Sequence, residues 1–202
     1  MILALIGLNV AVSLLGFRAL QEAGGKRASA FLFVPYQVAR GENGLGMLLA
    51  HFAHGGFLHL LFNMYALYSF GAPVLTTLGS AKFLAVYVAA GLGSDLVVFA
   101  LHKDDPSYRC LGASGSVFGI VMAAVILNPQ TSIAFVFVPI PIPGPIFMLG
   151  YAIIAVFLIW RGSRGGISHE GHLGGAIVGA ALTGVLSPQG LTPLLRWLAQ
   201  WR

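Results

Sequence analysis

Apolar runs of about 20 residues recur along this 202-residue chain and limit its possible folds more than any other feature. A bilayer's hydrocarbon core is ~30 Å thick, and a helix needs about 20 mostly apolar residues to cross it. Lipid tolerates only helices and closed barrels, because both satisfy their own backbone hydrogen bonds. Charged residues make up 8% of the chain, against about 25% in an ordinary soluble domain. We therefore predict an all-α, polytopic membrane protein.

Charge, cysteine content and the N-terminal residues exclude three other features: a nucleic-acid partner, an internal disulfide and a signal peptide. The net charge is +5, but the basic residues stand singly or in pairs in short connections, so we expect membrane-surface anchors and no nucleic-acid partner. Cys110 is the only cysteine and cannot form an internal disulfide. Residues 1–20 contain no basic leader and no convincing cleavage site, so we expect a retained span rather than a signal peptide.

The apolar runs predict six spans in a single domain of residues 1–202. They lie at about 1–20, 55–75, 82–102, 112–127, 145–160 and 169–187. The first connection, about 21–54, mixes apolar and polar residues, and we expect it to lie in the membrane interface. The stretch "PIPIPGP" (139–145) excludes a regular helix, so we expect the fifth span to start from an irregular segment.

Strongly polar residues occur near one end of the second, fourth and sixth spans. These spans run in the same direction, because each follows an odd-numbered loop. The polar residues are His54, His59, Asn63, Ser114, His169 and His172. Such residues are costly inside a membrane and are usually functional. The pattern indicates one site at a common depth.

Ser114 and His172 can supply a nucleophile and its general base. A serine hydroxyl is a poor nucleophile until a base accepts its proton, and neutral imidazole suits that task near neutral pH. Small residues four apart let membrane helices approach closely. Glycines at this spacing occur on the fourth and sixth spans, at Gly115, Gly119, Gly171, Gly175 and Gly179. Close packing of the two spans would bring His172 to Ser114.

Acyl transfer also needs hydrogen-bond donors for the developing oxyanion. His59 and Asn63 are four residues apart and project from one face of the second span. The Ser114 N–H falls in the first turn of the fourth span, where amides have no partner within the helix. These donors could converge on one oxygen.

Three motifs together resemble the rhomboid family of intramembrane serine proteases: "HGGFLHLLFN" (54–63), "GASG" (112–115) and "GHLGG" (171–175). The resemblance implies a six-transmembrane-helix bundle with a dyad in which Ser114 is the nucleophile and His172 the base. It assigns oxyanion stabilisation to His59, Asn63 and Ser114, and it makes His54 a support for the loop and second span. The remaining supporting positions are Gly112, Gly115, Phe118, Gly175 and Gly179.

The runs "HLLFNMYALYSFG" (59–71) and "SHEGHLGG" (168–175) look most like the mitochondrial-type branch and its bacterial relatives. Two features depart from the best-known bacterial pattern. The first loop has no Trp-Arg pair, and Phe118 stands where some members have tyrosine. Phe118 can pack against the His172 ring but cannot hydrogen-bond to it.

We expect the other polar residues of the spans to have structural rather than catalytic or metal-binding roles. "HEGH" (169–172) lacks the four-residue histidine spacing of a metalloprotease motif, so we expect no metal and no cofactor, even with His51 and His54 nearby. His169 and Glu170 are expected to be interfacial. Asp95 is the only carboxylate deep in an apolar run, and we favour a helix-capping or hydrogen-bonding role over a catalytic one.

Two arguments disagree about membrane orientation. Basic residues flank mainly the odd loops, at Arg18, Lys26, Arg27, Arg40, Lys103, Arg109, Arg161 and Arg164, whereas Lys82, Arg196 and Arg202 flank the even loops and the C-terminus. The positive-inside rule places the odd loops in the cytoplasm. Resemblance to bacterial rhomboids implies the opposite, and we follow it: a bacterial inner-membrane protein with its active-site opening on the extracytoplasmic side.

The sequence thus predicts an endopeptidase that cleaves transmembrane segments of other membrane proteins within the lipid bilayer. By resemblance, substrates approach laterally, near the fifth span or the first loop. The alternative is a catalytically silent, rhomboid-like membrane chaperone that binds transmembrane helices. A channel lined by His54, His59 and His172 is disfavoured, because beyond these residues the spans are almost wholly apolar.

Overall fold

The computed structural model describes residues 1–21, 27–135, 138–162 and 166–200. Within these residues, six helices of at least 14 residues overlap the six predicted spans. They are α1 (Ile2–Gln21), α4 (Phe57–Leu78), α5 (Ser80–His102), α6 (Ser114–Leu127), α7 (Gly144–Trp160) and α8 (His169–Leu186). Shorter helices are α2 (Pro35–Val38), α3 (Gly44–Ala50) and α9 (Thr192–Ala199), with a 3-10 turn at Ala28–Phe31. The predicted all-α, polytopic class is confirmed.

The long helices differ in their ability to cross a membrane alone. In the described part of the chain, α1, α4 and α5 are long and apolar enough to do so, whereas α6 and α7 are apolar but shorter. With 14 residues and a rise of 1.5 Å per residue, α6 is about 21 Å long. A ~30 Å hydrocarbon core is thicker than that. If the C-terminal end of α6 reaches one surface, Ser114 at its other end lies below the opposite surface.

Local chemistry sets where these helices begin and end. Gly79 has a φ of 76° and separates α4 from α5 without a longer loop; this left-handed conformation favours glycine. Gly112, with a φ of 137°, precedes α6. The Ser168 side chain accepts a hydrogen bond from the Gly171 N–H and so caps α8, which satisfies one of the amides left free at a helix start.

The proline-rich segment before α7 is more regular than the sequence predicted. Strands β1 (Ser132–Phe135) and β2 (Val138–Pro143) pair antiparallel, with Ile133 opposite Ile142. The prolines of β2 occupy every second position, so their missing N–H groups fall on one side of the strand and leave the other side able to pair. The expected irregular segment is therefore a strand, and the exclusion of helix was right for residues 139–143, whereas Gly144 and Pro145 already begin α7.

The first loop folds back onto the bundle. Phe33 pairs with Cys110 as an isolated backbone bridge, with N···O distances of 2.8 and 3.0 Å. Phe33 and Ala53 are buried, whereas Leu45 and Leu48 of α3 are exposed. Residues 22–26 of this loop lie outside the described residues, as do Lys26, Arg164 and Arg202 among the basic residues used to predict orientation.

Helix α6 is the centre of the bundle and packs against α4, α5 and α8. Residues on all sides of α6, including Ile120, Ala123 and Val125, are fully buried. A helix that is apolar all round is stable only when neighbours surround it. Ser114, at its start, is therefore held by the most enclosed element of the fold.

Backbone contact between α6 and α8 depends on glycine. A Cβ on Gly175 would overlap the Gly115 carbonyl, and a Cβ on Gly179 would overlap the Gly119 backbone. No side chain can occupy these positions unless the helices separate. In lipid, burying apolar surface between helices contributes little free energy. Close van der Waals packing is therefore a main driving force for helix association.

We predict that Gly175→Ala lowers the free energy of unfolding by about 1–3 kcal/mol, the usual cost of forcing extra atoms into a packed core. Thermal unfolding of the purified protein in detergent measures this change. Gly150→Ala is the matched control, since a Cβ there would meet no described atom within 4 Å apart from its chain neighbours and the adjacent backbone of α7. It should be neutral or stabilising. Equal melting temperatures for the two variants would contradict the backbone contact.

Candidate active site

Ser114 and His172 meet where α6 and α8 begin. Ser114 is the first residue of α6 and His172 the fourth of α8. His172 Nε2 lies 2.7 Å from Ser114 Oγ. With the ring proton on Nδ1, Nε2 accepts the hydroxyl proton, and this is the tautomer that a general base needs. The pair has the geometry of a nucleophile and its general base.

Stacked rings hold the His172 imidazole. Phe118 lies 4.5 Å from it, centroid to centroid, at an interplanar angle of 19°. Tyr151 of α7 stacks on the other side of Phe118 at 4.6 Å. The orientation of the base is thus set partly by packing, which Phe118 provides without a hydrogen bond.

The His59 ring lies beside Gly112 and Ser114. A Cβ on Gly112 would fall 3.1 Å from His59 Nε2 and 3.5 Å from Ser114 Oγ, so both atoms flank one small volume. The Gly55 N–H points to His59 Nδ1 over 3.5 Å. Nδ1 therefore accepts, and the ring proton lies on Nε2, which faces the serine. His59 can donate to an oxyanion formed there.

Asn63 lies one turn after His59 and is buried. Its Nδ2 donates to the His59 carbonyl at 2.9 Å. An amide nitrogen carries two hydrogens, and the second has no hydrogen-bond partner in the described residues. The side chain is therefore held by its own helix and keeps one donor.

His54 connects the site to α1. Ser13 Oγ donates its one proton to the Phe52 carbonyl at 3.1 Å, so His54 Nδ1–H is the donor in the 2.9 Å bond to Ser13 Oγ. The His54 ring meets the His59 ring edge to face at 4.9 Å. His54 is fully buried, and it supports His59 without contacting Ser114 through any hydrogen bond in the described residues.

The two carboxylates near the dyad pair with other histidines. Asp95 Oδ2 lies 2.7 Å from His51 Nε2 at the end of α3, and Glu170 Oε1 lies 2.9 Å from His102 Nε2 at the end of α5. Within the described chain, neither carboxylate bonds to His172. Asp95 thus joins α5 to the first loop, which is the hydrogen-bonding role that the sequence favoured.

A small cavity of about 30 Å³ adjoins the dyad. Its lining includes Ser94, Asp95, His51, Ser114 and His172. A polar cavity of this volume can hold a water molecule. Among the described residues, no three His, Cys, Asp or Glu side chains converge as a metal site would require.

The sequence did not reveal the partners of Glu170 or the environment of Cys110. Glu170 was expected to be interfacial, but it is 8% exposed and hydrogen-bonded to Tyr108 as well as His102. Burial, with the Asp95 and Glu170 charges, raises the pKa of the Cys110 thiol to about 12. Cys110 therefore stays protonated and does not compete as a nucleophile.

The fold and site together define a multi-pass membrane protein with a Ser-His pair at the start of a short, central helix. Residues 42–189 match the family model described as "Rhomboid domain". This match covers most of the chain, and the protein belongs to the rhomboid family.

Curated relatives come from mitochondria and bacteria. The chain is 33% identical over 142 residues to the presenilin-associated rhomboid-like protein, mitochondrial, of Mus musculus (66% of this chain, 36% of the relative). It is 33% identical over 140 residues to Rhomboid protein 1, mitochondrial, of Saccharomyces cerevisiae (63% and 38%). It is 32% identical over 129 residues to Rhomboid protease GluP of Bacillus subtilis (62% and 23%). The chain spans less than half the length of these relatives. Their sources agree with the predicted branch.

Burial makes His54 a source of acid sensitivity. Loss of water contact on burial, with a smaller effect of the nearby His59, lowers the pKa of His54 to about 4. In an unfolded chain the pKa is about 6.5. Between these values the unfolded state binds more protons, so the free energy of unfolding falls as the pH drops from about 6.5 towards 4.

We predict that the melting temperature falls between pH 7 and pH 5 and that this fall is smaller in His54→Asn. Comparing slopes, rather than absolute melting temperatures, removes the fixed cost of the substitution. Parallel pH profiles for the wild type and His54→Asn would mean that His54 does not contribute to acid sensitivity.

Proposed function

We propose that this protein is an intramembrane serine endopeptidase that cleaves transmembrane segments of other membrane proteins with the Ser114-His172 dyad. The observation that carries this proposal is the 2.7 Å contact between His172 Nε2 and Ser114 Oγ. The rhomboid family match and the 32% identity to Rhomboid protease GluP support it.

In the acylation step, His172 Nε2 accepts the Ser114 proton while Oγ attacks the scissile carbonyl carbon. The resulting oxyanion accepts hydrogen bonds from the Ser114 N–H, His59 Nε2–H and Asn63 Nδ2–H. Loss of one such donor typically raises the barrier by about 2.7–4 kcal/mol. The imidazolium of His172 then protonates the leaving amine, and the peptide bond breaks to leave an acyl-Ser114 ester.

Deacylation requires water at membrane depth. The small cavity beside Ser114 and His172 offers a polar place for one water molecule. His172 Nε2 takes a proton from this water as its oxygen attacks the ester, then returns that proton to Ser114 Oγ. The second product leaves with a free carboxyl group, and no cofactor takes part.

Lateral approach of the substrate fits the packing of α7. This helix packs mainly against α8 and has little contact with α4 in the described residues. Its Ile153, Val156 and Phe157 side chains are exposed, as expected of a lipid-facing surface. A transmembrane substrate can therefore approach Ser114 between α4 and α7 without separating α6 from α8.

The first experiment is labelling of the detergent-purified protein with a fluorophosphonate probe. We expect the wild type to label, Ser114→Ala not to label, and His172→Ala to label at least 10²-fold more slowly, because general-base catalysis contributes about 10²–10⁴-fold. Ser116→Ala is the matched control, since Ser116 lies two residues later in α6 and should label like the wild type.

Cleavage of a rhomboid model substrate is measured in parallel. A folded wild type that neither labels nor cleaves would contradict the proposal. The catalytically silent membrane chaperone would then become the leading function.

The active-site opening is proposed to face the extracytoplasmic side of a bacterial inner membrane. With six spans, both termini then lie in the cytoplasm. We expect green fluorescent protein fused at the C-terminus to fluoresce and alkaline phosphatase at the same place to be inactive. The reverse result would show that the positive-inside rule, not the family resemblance, predicts the orientation.

A further inference from the structure

A buried carboxylate joins the two chain segments that carry the dyad. Glu170, the second residue of α8, lies two residues before His172. Tyr108 lies in the α5–α6 connection, six residues before Ser114. Tyr108 Oη donates to Glu170 Oε1 at 2.5 Å, and His102 Nε2 donates to the same oxygen at 2.9 Å. We call His102, Tyr108, Ser168 and Glu170 the Glu170 cluster.

The hydrogen bonds of the Glu170 cluster are mutually consistent. Tyr108 Oη also lies 2.9 Å from Ser168 Oγ. A phenol has one proton, and a carboxylate only accepts, so Tyr108 donates to Glu170 and the Ser168 hydroxyl supplies the proton of the second bond. Ser168 Oγ in turn accepts from the Gly171 N–H at 3.2 Å. Burial raises the pKa of the Tyr108 phenol, which keeps this donor protonated.

Packing makes the cluster rigid. The His102 and Tyr108 rings stack with centroids 3.6 Å apart and an interplanar angle of 11°. The carboxylate of Glu170 also sits in the first turn of α8, where the helix dipole favours negative charge. The cluster therefore fixes the start of α8 against both the end of α5 and the loop that leads to Ser114.

We propose that Glu170 is a positioning residue that aligns His172 with Ser114 by tying the first turn of α8 to Tyr108 and His102. This inference rests on the proposed protease function for its kinetic consequences. General-base catalysis depends on the 2.7 Å contact between the two side chains, and a misplacement of about 1 Å by a distant change can cost about 10²-fold in rate.

The hydrogen bonds from Tyr108 and His102 both end on Glu170 Oε1. Two substitutions of Glu170 therefore separate loss of this acceptor from loss of the negative charge. Glu170→Gln keeps an oxygen that can accept from both Tyr108 and His102, so it should retain the alignment. Glu170→Ala removes the acceptor altogether. Tyr108→Phe keeps the ring stack on His102 and removes only the hydroxyl. Asp104→Ala is the control, because it removes an exposed carboxylate from the same loop.

The kinetic test measures kcat and KM on a transmembrane model substrate. We expect Glu170→Ala to lower kcat by about 10²-fold with little change in KM, because Glu170 does not touch the dyad or the proposed substrate path between α4 and α7. Tyr108→Phe should lower kcat to a smaller extent. Glu170→Gln should restore most of the activity, and Asp104→Ala should match the wild type.

The second readout does not require protease activity. In ¹⁵N-histidine-labelled protein, the His172 ring nitrogens report the hydrogen bond to Ser114. We expect their signals to shift in Glu170→Ala, to shift much less in Glu170→Gln, which removes the charge but keeps the acceptor oxygen, and to stay at wild-type positions in Asp104→Ala. The melting temperature of each variant separates displacement of the ring from unfolding.

Distinct outcomes separate the two proposals. Unchanged kcat and unchanged His172 signals in a folded Glu170→Ala would overturn the positioning role while leaving the protease function intact. A wild type that is inactive on substrate and probe would overturn the protease function, and the His172 signals would still decide the positioning role. Should Glu170→Ala not fold, unchanged signals and kcat in Tyr108→Phe would overturn the inference.

Discussion

The contact between the α6 and α8 backbones determines the rest of the site. Gly115 and Gly119 meet Gly175 and Gly179 so closely that a single Cβ would separate the helices. Lipid offers no strong hydrophobic drive for helix association, so this close packing substitutes for it. The contact also places the starts of both helices side by side. Ser114 and His172 lie at those starts, and their hydrogen bond is a consequence of how the two helices pack.

Around this contact, three hydrogen-bonded groups of polar side chains connect elements that are distant in sequence. Asp95 bonds to His51, His54 to Ser13, and Glu170 to His102 and Tyr108. A buried polar group without a partner costs several kcal/mol, because no water replaces the lost hydrogen bond. These pairs tie α1, the first loop and α5 to the dyad. The histidine-rich composition of the site therefore serves both catalysis and structure in the proposed enzyme.

Because α6 is about 21 Å long and a hydrocarbon core is ~30 Å thick, Ser114 lies below one membrane surface if the other end of α6 reaches the opposite one. A helix that begins inside the membrane leaves backbone amides without intrahelical partners at its first turn. Irregular backbone at membrane depth is tolerated only where protein or a water-filled cavity covers it. Here the folded first loop and the connection to α6, paired through Phe33 and Cys110, cover that end. The same arrangement leaves the Ser114 N–H available beside the small polar cavity.

Much of the fold follows from local patterns in the sequence. Apolar runs mark the helices, glycines at a spacing of four mark the faces of α6 and α8 that touch, and "GASG" and "GHLGG" mark the candidate dyad. These signals are readable because each depends on residues within one or two helical turns. The proline-rich strand could be predicted only as non-helical, since a strand needs a partner and the residues of β1 carry no strong pairing signal of their own.

Tertiary structure alone decided which polar groups meet. Glu170 was expected to be interfacial, but it is buried and bonds to His102, which is 68 residues away. His51 is likewise 44 residues from its partner Asp95. The sequence by itself determined the membrane-helical class, the order of the helices and the candidate residues for acyl transfer. Only the packed bundle decided the alignment of Ser114 with His172. A hydrogen bond of 2.7 Å between residues 58 positions apart forms only if the glycine faces of α6 and α8 approach closely.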